Sequence, residues 1–330
     1  MIKYSFIILF SLYSGLFYGQ DNSPIEDVKT ILKYNPDSEF LVVLVHGSGT
    51  PDIESKVSFS QSLDCYYKKY FRKEFKLFDE VSDNLYQLGY STLQYDKLNT
   101  RSTTDKYFDV TDNIKDVHGL LQKLKSDTLL KDKKIILFGF SEGVTVAINQ
   151  LNYSLDISGI IAYGGVFMDP IQMKADVFFN KYKICDNNEK RAKSYRNQFL
   201  DQMERMEKPA VNSEKKLVLV DTLYNEDNTK LIGINNQTFS VNLGYFKNLK
   251  TEVSNSMANL SNTDTPVLLI HGGSDIKVPI ENHHRLNDRY KNKKNISLKV
   301  LKESDHFMRK NFSSEINQNL FEFIGEWGTK

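Results

Sequence analysis

The chain has 330 residues, enough for one large α/β domain or two ordinary ones, and length alone does not choose between them. Its 40% hydrophobic and 26% charged content, with only 17 Gly and 7 Pro, excludes collagen-like, low-complexity and predominantly disordered readings. With 43 basic against 42 acidic side chains the net charge is +1, so no global field points to nucleic acid or an anionic membrane as a partner. Two cysteines, Cys65 and Cys185, are too few for a disulfide scaffold or a cysteine zinc cluster; they read as inert buried thiols, with a bridge between them outside the cytoplasm as the alternative.

Residues Met1 to Gly19 carry one charge, Lys3, ahead of an apolar stretch from Ser5 to Tyr18. That is the n-region and h-region of a secretory signal, short for a membrane span. The expectation is export to the periplasm or the medium, with residues 1–20 as the signal. Phe17 makes the cleavage site atypical, and an uncleaved amino-terminal anchor is the alternative. No later stretch is long and apolar enough to cross a bilayer.

Ile25 to Tyr34 is a mixed segment that the pattern leaves without a form. Phe40 to Val45 (FLVVLV) is then a continuous, β-branched apolar run, the texture of a strand buried on both faces. Similar runs recur at Ser91 to Tyr95, Lys134 to Phe138, Gly159 to Tyr163, Pro266 to Ile270 and Ser297 to Leu301. Helical spacing fills the gaps: Phe78, Val81, Leu85 and Leu88; Ile114, Val117, Leu121 and Leu124; and finally Ile316, Leu320, Phe321, Phe323 and Ile324. Alternating buried strands and amphipathic helices predict an α/β fold, a mostly parallel sheet flanked by helices.

From Val166 to about Asp264 that alternation stops. The region is rich in Lys and Asn, and Glu189 to Glu207 has helical character, while Lys216 to Val220 suits a strand or a helix. A structureless loop of that length does not fit a compact domain, so residues 166–264 read as an inserted subdomain. Its aromatic and Met content suits either an apolar pocket or the insertion's own core. A smaller insertion lies between Gly49 and Phe78.

The strand Lys134 to Phe138 runs into Gly139-Phe140-Ser141-Glu142-Gly143 and a helix-like segment. This is G-x-S-x-G in strand–turn–helix context, the pattern of a nucleophile elbow. The reason is steric: a serine at the apex of so sharp a turn needs neighbours without bulk two residues to either side, and Gly139 and Gly143 supply them. The first apolar strand ends in His46-Gly47-Ser48-Gly49. A turn of this kind sets a backbone N–H beside the nucleophile, so the backbone N–H groups of Ser48 and Glu142 are the candidate oxyanion donors. His46 reads as a packed residue orienting the loop with Gly47. After Pro266 to Ile270 comes His271-Gly272-Gly273-Ser274-Asp275, and after Ser297 to Leu301 comes Glu303-Ser304-Asp305-His306-Phe307. The chain order Ser141, Asp275, His306, each just beyond a strand, is nucleophile, acid and base.

On these residues the sequence resembles an α/β-hydrolase. HGSG, the GY-x-x-x-x-YDK run from Gly89 to Lys97, GFSEG, HGGSD-x-x-VP and SDHF occur in order with matching spacing. It is most similar to secreted or periplasmic bacterial serine hydrolases, esterases or peptidase-like. The resemblance implies that the insertion, placed after the sixth family strand, is a largely helical lid, and that residues 21–165 and 265–330 form a discontinuous core. In one place the sequence departs from the family: after Asp96 an arginine and two glycines are usual, whereas here Lys97-Leu98-Asn99-Thr100-Arg101-Ser102 follows.

The implied chemistry is acyl transfer through Ser141, with His306 as base and acid and Asp275 orienting it. It needs no metal and no cofactor. The expected substrate is a small-molecule carboxylic ester, with a peptide or amide as the alternative, a thioester after that, and a non-catalytic binding protein last. Asp169 is the second candidate for the acid. His118 reads as packed or exposed, and His283 and His284 as solvent-facing, the two being adjacent and so mis-spaced for a helix-face zinc site.

Overall fold

The computed structural model describes residues 28–49, 51–57, 74–102, 108–153, 155–207, 229–234, 237–310 and 313–328. The expected signal (1–20) and the strand or helix at 216–220 lie outside them.

A sheet of seven strands organises the molecule. In chain order these are β1 (Thr30–Lys33), β2 (Phe40–Val45), β5 (Ser91–Tyr95), β6 (Lys134–Phe140), β7 (Ile157–Tyr163), β10 (Val267–Gly272) and β11 (Ile296–Leu301). Across the sheet the order is β1-β5-β2-β6-β7-β10-β11, with every pairing parallel except that of β1 with β5. All six apolar runs of the sequence are strands here. The segment without a predicted form supplies the seventh, an antiparallel edge of only partly buried residues.

Burial on both faces explains the unbroken apolar runs. Along β2, Leu41, Val43 and Val45 enter one hydrophobic cluster while Val42 and Leu44 enter another across the sheet. Helices α1 (Leu77–Gln87) and α8 (Asn319–Gly328) cover the second face. Helices α2 (Val110–Ser126), α3 (Glu142–Asn149), α6 (Leu243–Asn262) and α7 (Glu281–Tyr290) cover the first. Each placement follows from a stripe, such as Phe78, Val81 and Leu85 on α1, that must leave water. Asp109 caps α2, its carboxylate accepting from the N–H groups of Thr111 and Asp112.

The stretch between β7 and β10 is more varied than the sequence implies. It follows the fifth main-sheet strand in chain order, and holds helices α4 (Pro170–Asp186) and α5 (Glu189–Glu207), then a hairpin of β8 (Thr229–Ile234) and β9 (Gln237–Asn242). Its last helix, α6, packs on the core. Leu249, Val253 and Leu260 are buried there, and the Asn259 amide donates to the Asn149 side chain at 3.0 Å. Residues 243–262 therefore serve the core although they fall within the span 166–264. Helices α4 and α5 build a separate cluster from Phe178, Tyr182, Tyr195, Phe199 and Met203, so these aromatics stabilise the insertion itself. In the smaller insertion, β3 (Lys56–Val57) pairs antiparallel with β4 (Phe75–Lys76).

Cys185, near the end of α4, is disulfide-bonded and not the inert thiol that the sequence suggested. The other cysteine of the sequence, Cys65, lies outside the described residues.

Candidate active site

In an open parallel sheet the chemistry gathers where strands end at their carboxyl sides. Ser141 follows β6, Gly164 follows β7, Asp275 lies just past β10 and His306 just past β11, and these four strands are adjacent.

Ser141 sits between β6 and α3 with φ 54° and ψ −122°, a conformation that an L-residue holds only under constraint. The constraint is visible on both sides. The Ser141 N–H donates to the Tyr163 carbonyl at 2.9 Å, tying the elbow to β7. A Cβ on Gly143 would stand 2.2 Å from the Val45 carbonyl oxygen, and one on Gly139 would stand 2.7 Å from the Gly143 carbonyl oxygen. Strand and helix approach too closely for any side chain, which is why the pattern brackets its serine with glycines. Ser141 itself is half-buried and so reachable.

His306 and Asp275 are in contact, with Nδ1 2.8 Å from Oδ2. The other carboxylate oxygen of Asp275 accepts from the N–H groups of Lys277 (2.8 Å) and Val278 (2.9 Å). Burial pushes this carboxyl up, but the His306 ring beside it and these donors hold it below its ordinary value. An ionised carboxylate only accepts, so the proton of the shared hydrogen bond belongs to His306 Nδ1. Nε2 is then the basic nitrogen. The ring is steered from other sides as well: Phe140, next to the serine, lies 5.1 Å from it between centroids, and a Cβ on Gly164 would be 3.6 Å from Nδ1.

The loop that carries His306 is fastened from below. Tyr163, at the end of β7, donates its hydroxyl to the Asp305 carbonyl at 2.6 Å. Asp305 accepts through Oδ1 from the N–H groups of Phe307 and Arg309. Buried Arg309 grips Glu80 of α1 through two nitrogens, at 2.6 and 3.0 Å, with its guanidinium 3.6 Å from the Phe75 ring centroid. Glu303 and Met308, either side of the histidine, have positive φ of 61° and 63°.

Of the loop after β2, Gly47 is buried, and a Cβ added to it would stand 3.1 Å from Ser141 Cβ, while Ser48 is exposed. Glu142 opens α3, where the first N–H groups have no acceptor within the helix. His46 is packed: its Nε2 is 2.8 Å from the Tyr95 carbonyl, its ring stacks on Phe78, and burial lowers its pKa to about 3. It is not positioned as a base.

The remaining candidates fall elsewhere. Asp169 caps α4, accepting from Ile171 and Gln172 N–H groups and pairing with Lys250 at 2.8 Å. His118 stacks on Tyr153 at 3.9 Å between centroids. His284 is exposed, but His283 is buried against His271, contrary to the solvent-facing expectation, and burial lowers its pKa to about 4. Among the described residues no group of three or more His, Cys, Asp or Glu side chains could hold a metal ion.

Sequence reasoning missed Lys97. In place of the family's glycines, Leu98–Arg101 makes a short helical turn, and Lys97 at its start is buried. Its Nζ donates to the Gly47 carbonyl at 2.7 Å and lies 3.4 Å from Glu142 Oε1, whose other oxygen accepts from the Tyr245 hydroxyl at 2.5 Å. The only sequence signal was a basic residue in a strand-end position with a nearby acid in the elbow.

Strand order and the strand–elbow–helix connection are those of the α/β-hydrolase fold. Comparison with known proteins agrees. Residues 94–186 match the model of the phospholipase/carboxylesterase family, and residues 219–330 that of the prolyl oligopeptidase family. An esterase of Pyrococcus furiosus is similar in structure, with 18% identity over 92% of this chain and 85% of that one and a TM-score of 0.51. A monoacylglycerol lipase of Paleococcus ferrophilus has 17% identity over 91% of this chain and 97% of its own, with a TM-score of 0.52. No curated protein matches the chain. The chain thus has the α/β-hydrolase fold, and each of these two hydrolase families matches part of it.

Proposed function

We propose that the protein is an exported serine hydrolase that cleaves a carboxylic ester through an acyl-enzyme on Ser141. The contact between His306 Nδ1 and Asp275 carries this reading, because it leaves Nε2 as the base at the same carboxyl edge of the sheet as Ser141.

In the first half-reaction His306 Nε2 takes the Ser141 hydroxyl proton as Oγ attacks the acyl carbon. The tetrahedral oxyanion is held by the backbone N–H groups of Ser48 and Glu142. As the intermediate collapses, the C–O bond to the alcohol breaks and the imidazolium returns its proton to the leaving oxygen. Water then repeats the sequence, releasing the acid and restoring Ser141. Asp275 stabilises the imidazolium without itself taking the proton.

A peptidase or amidase reading is favoured by one observation, the match of residues 219–330, the third of the chain holding Asp275 and His306, to the prolyl oligopeptidase family. Export is supported by the bonded state of Cys185, since disulfides persist in oxidising compartments. Helices α4 and α5 with the β8–β9 hairpin are the candidate lid.

The test is labelling and turnover. A fluorophosphonate probe should label wild-type protein and not Ser141→Ala, and His306→Ala should lower kcat by several orders of magnitude while remaining folded. Folded wild-type protein that resists the probe would remove the proposal. Hydrolysis of p-nitrophenyl esters beside aminoacyl nitroanilides decides ester against amide.

A further inference from the structure

A buried ammonium is an unusual object. Burial of an ion pair contributes little net stability, because desolvation offsets the Coulombic gain. Lys97 and Glu142 are nevertheless both buried, with side chains 3% and 5% exposed. Their partners indicate a different purpose.

The Gly47 carbonyl that Lys97 holds belongs to the same peptide group as the Ser48 N–H. No described peptide bond is cis, and in a trans peptide the C=O and N–H point in opposite directions. Fixing the carbonyl on Lys97 therefore aims the Ser48 N–H away from it. The same ammonium faces the carboxylate of Glu142, whose backbone N–H is the other oxyanion donor. Tyr245, in the first turn of α6, closes the chain by donating to that carboxylate. We infer that Lys97 is a positioning residue that sets both oxyanion donors at once, with Tyr245 linking that setting to the end of the inserted segment.

This inference rests on the serine hydrolase reading. Lys97 touches no substrate. It orients the peptide that does, and its loss should weaken what forms only in the transition state. Removing one oxyanion donor outright costs about 10²–10³ in kcat, so misaiming the donors should cost about 10–100-fold. KM should stay within about twofold, because ground-state binding does not use the oxyanion site.

The experiment compares wild type, Ser141→Ala, Lys97→Met and Lys97→Ala in hydrolysis of p-nitrophenyl acetate, with thermal unfolding of each. Lys97→Met should remain folded with kcat reduced as above, and propylammonium should restore activity saturably in Lys97→Ala and not in Lys97→Met. Unchanged kcat in folded Lys97→Met, a loss expressed mainly in KM, or absence of rescue in Lys97→Ala overturns the inference. Should the Lys97 variants not fold, Tyr245→Phe carries the test: at least threefold lower kcat at constant KM supports it, and full activity overturns it. A wild-type protein that neither turns over nor labels at Ser141 overturns the hydrolase reading and this one with it. A wild type that does both isolates the result to Lys97.

Discussion

Asp305 adjoins the proposed base and has no role in the proposed chemistry. It is buried, Oδ1 accepts two N–H groups and Oδ2 has no partner. Burial, with the Asp275 carboxylate acting in the same direction, raises its pKa to about 7 against 3.8 for the ordinary side chain. The folded state thus keeps a proton that the unfolded chain releases, so stability falls as pH rises from about 4 to about 7 and levels off above that. Asp305→Asn cannot ionise and keeps an oxygen for the two N–H donors. It should be more stable than wild type by about 2–4 kcal/mol at pH 8 and nearly equal to it at pH 4, read from urea midpoints. Neutral burial of His46, which destabilises the fold as pH drops from about 6.5 towards 3, is common to both proteins and cancels. A gain of equal size at both pH values would mean that ionisation is not its source.

Among the elements, the segment from β11 to α8 depends on one side chain. Arg309 joins the His306 loop to α1 through Glu80 and also donates to the Ser314 carbonyl. Arg309→Met keeps much of the apolar bulk and removes every one of those bonds. Because the Glu80 side chain is about a third exposed, the loss should be about 2–3 kcal/mol, below that of a fully buried pair. Chemical denaturation reads the stability, and a drop in kcat at unchanged KM would show the histidine drifting. Retained stability would mean that the strand pairing alone holds the loop. Elements like this mark what the sequence could reveal. Ser141, Asp275 and His306 were legible because each belongs to a short local pattern at the end of an apolar strand. Lys97 and Tyr245 were not, since their bonds to Glu142 span 45 and 103 residues of chain. The edge strand β1 was hidden by its brevity and half-exposed residues. The stripe of Leu249, Val253 and Leu260 that turns α6 to the core was not legible, because polar residues surround it.

At the scale of the molecule, the bonded Cys185 ties the inserted segment covalently to another part of the protein. Reduction should lower stability by about 2–4 kcal/mol and expose titratable thiol, measured by thermal unfolding with and without dithiothreitol. Free thiol in the untreated, folded protein would contradict the bond. The strand order has a consequence in time as well as in space. Half of the chain separates Ser141 from His306, and the base arrives on β11, the last strand and an edge of the sheet. While the polypeptide is being made, Ser141 is therefore present well before the residue proposed to take its proton. On the proposed mechanism the nucleophile stays silent until the final strand docks, so an unfinished copy would carry no acyl-transferring activity.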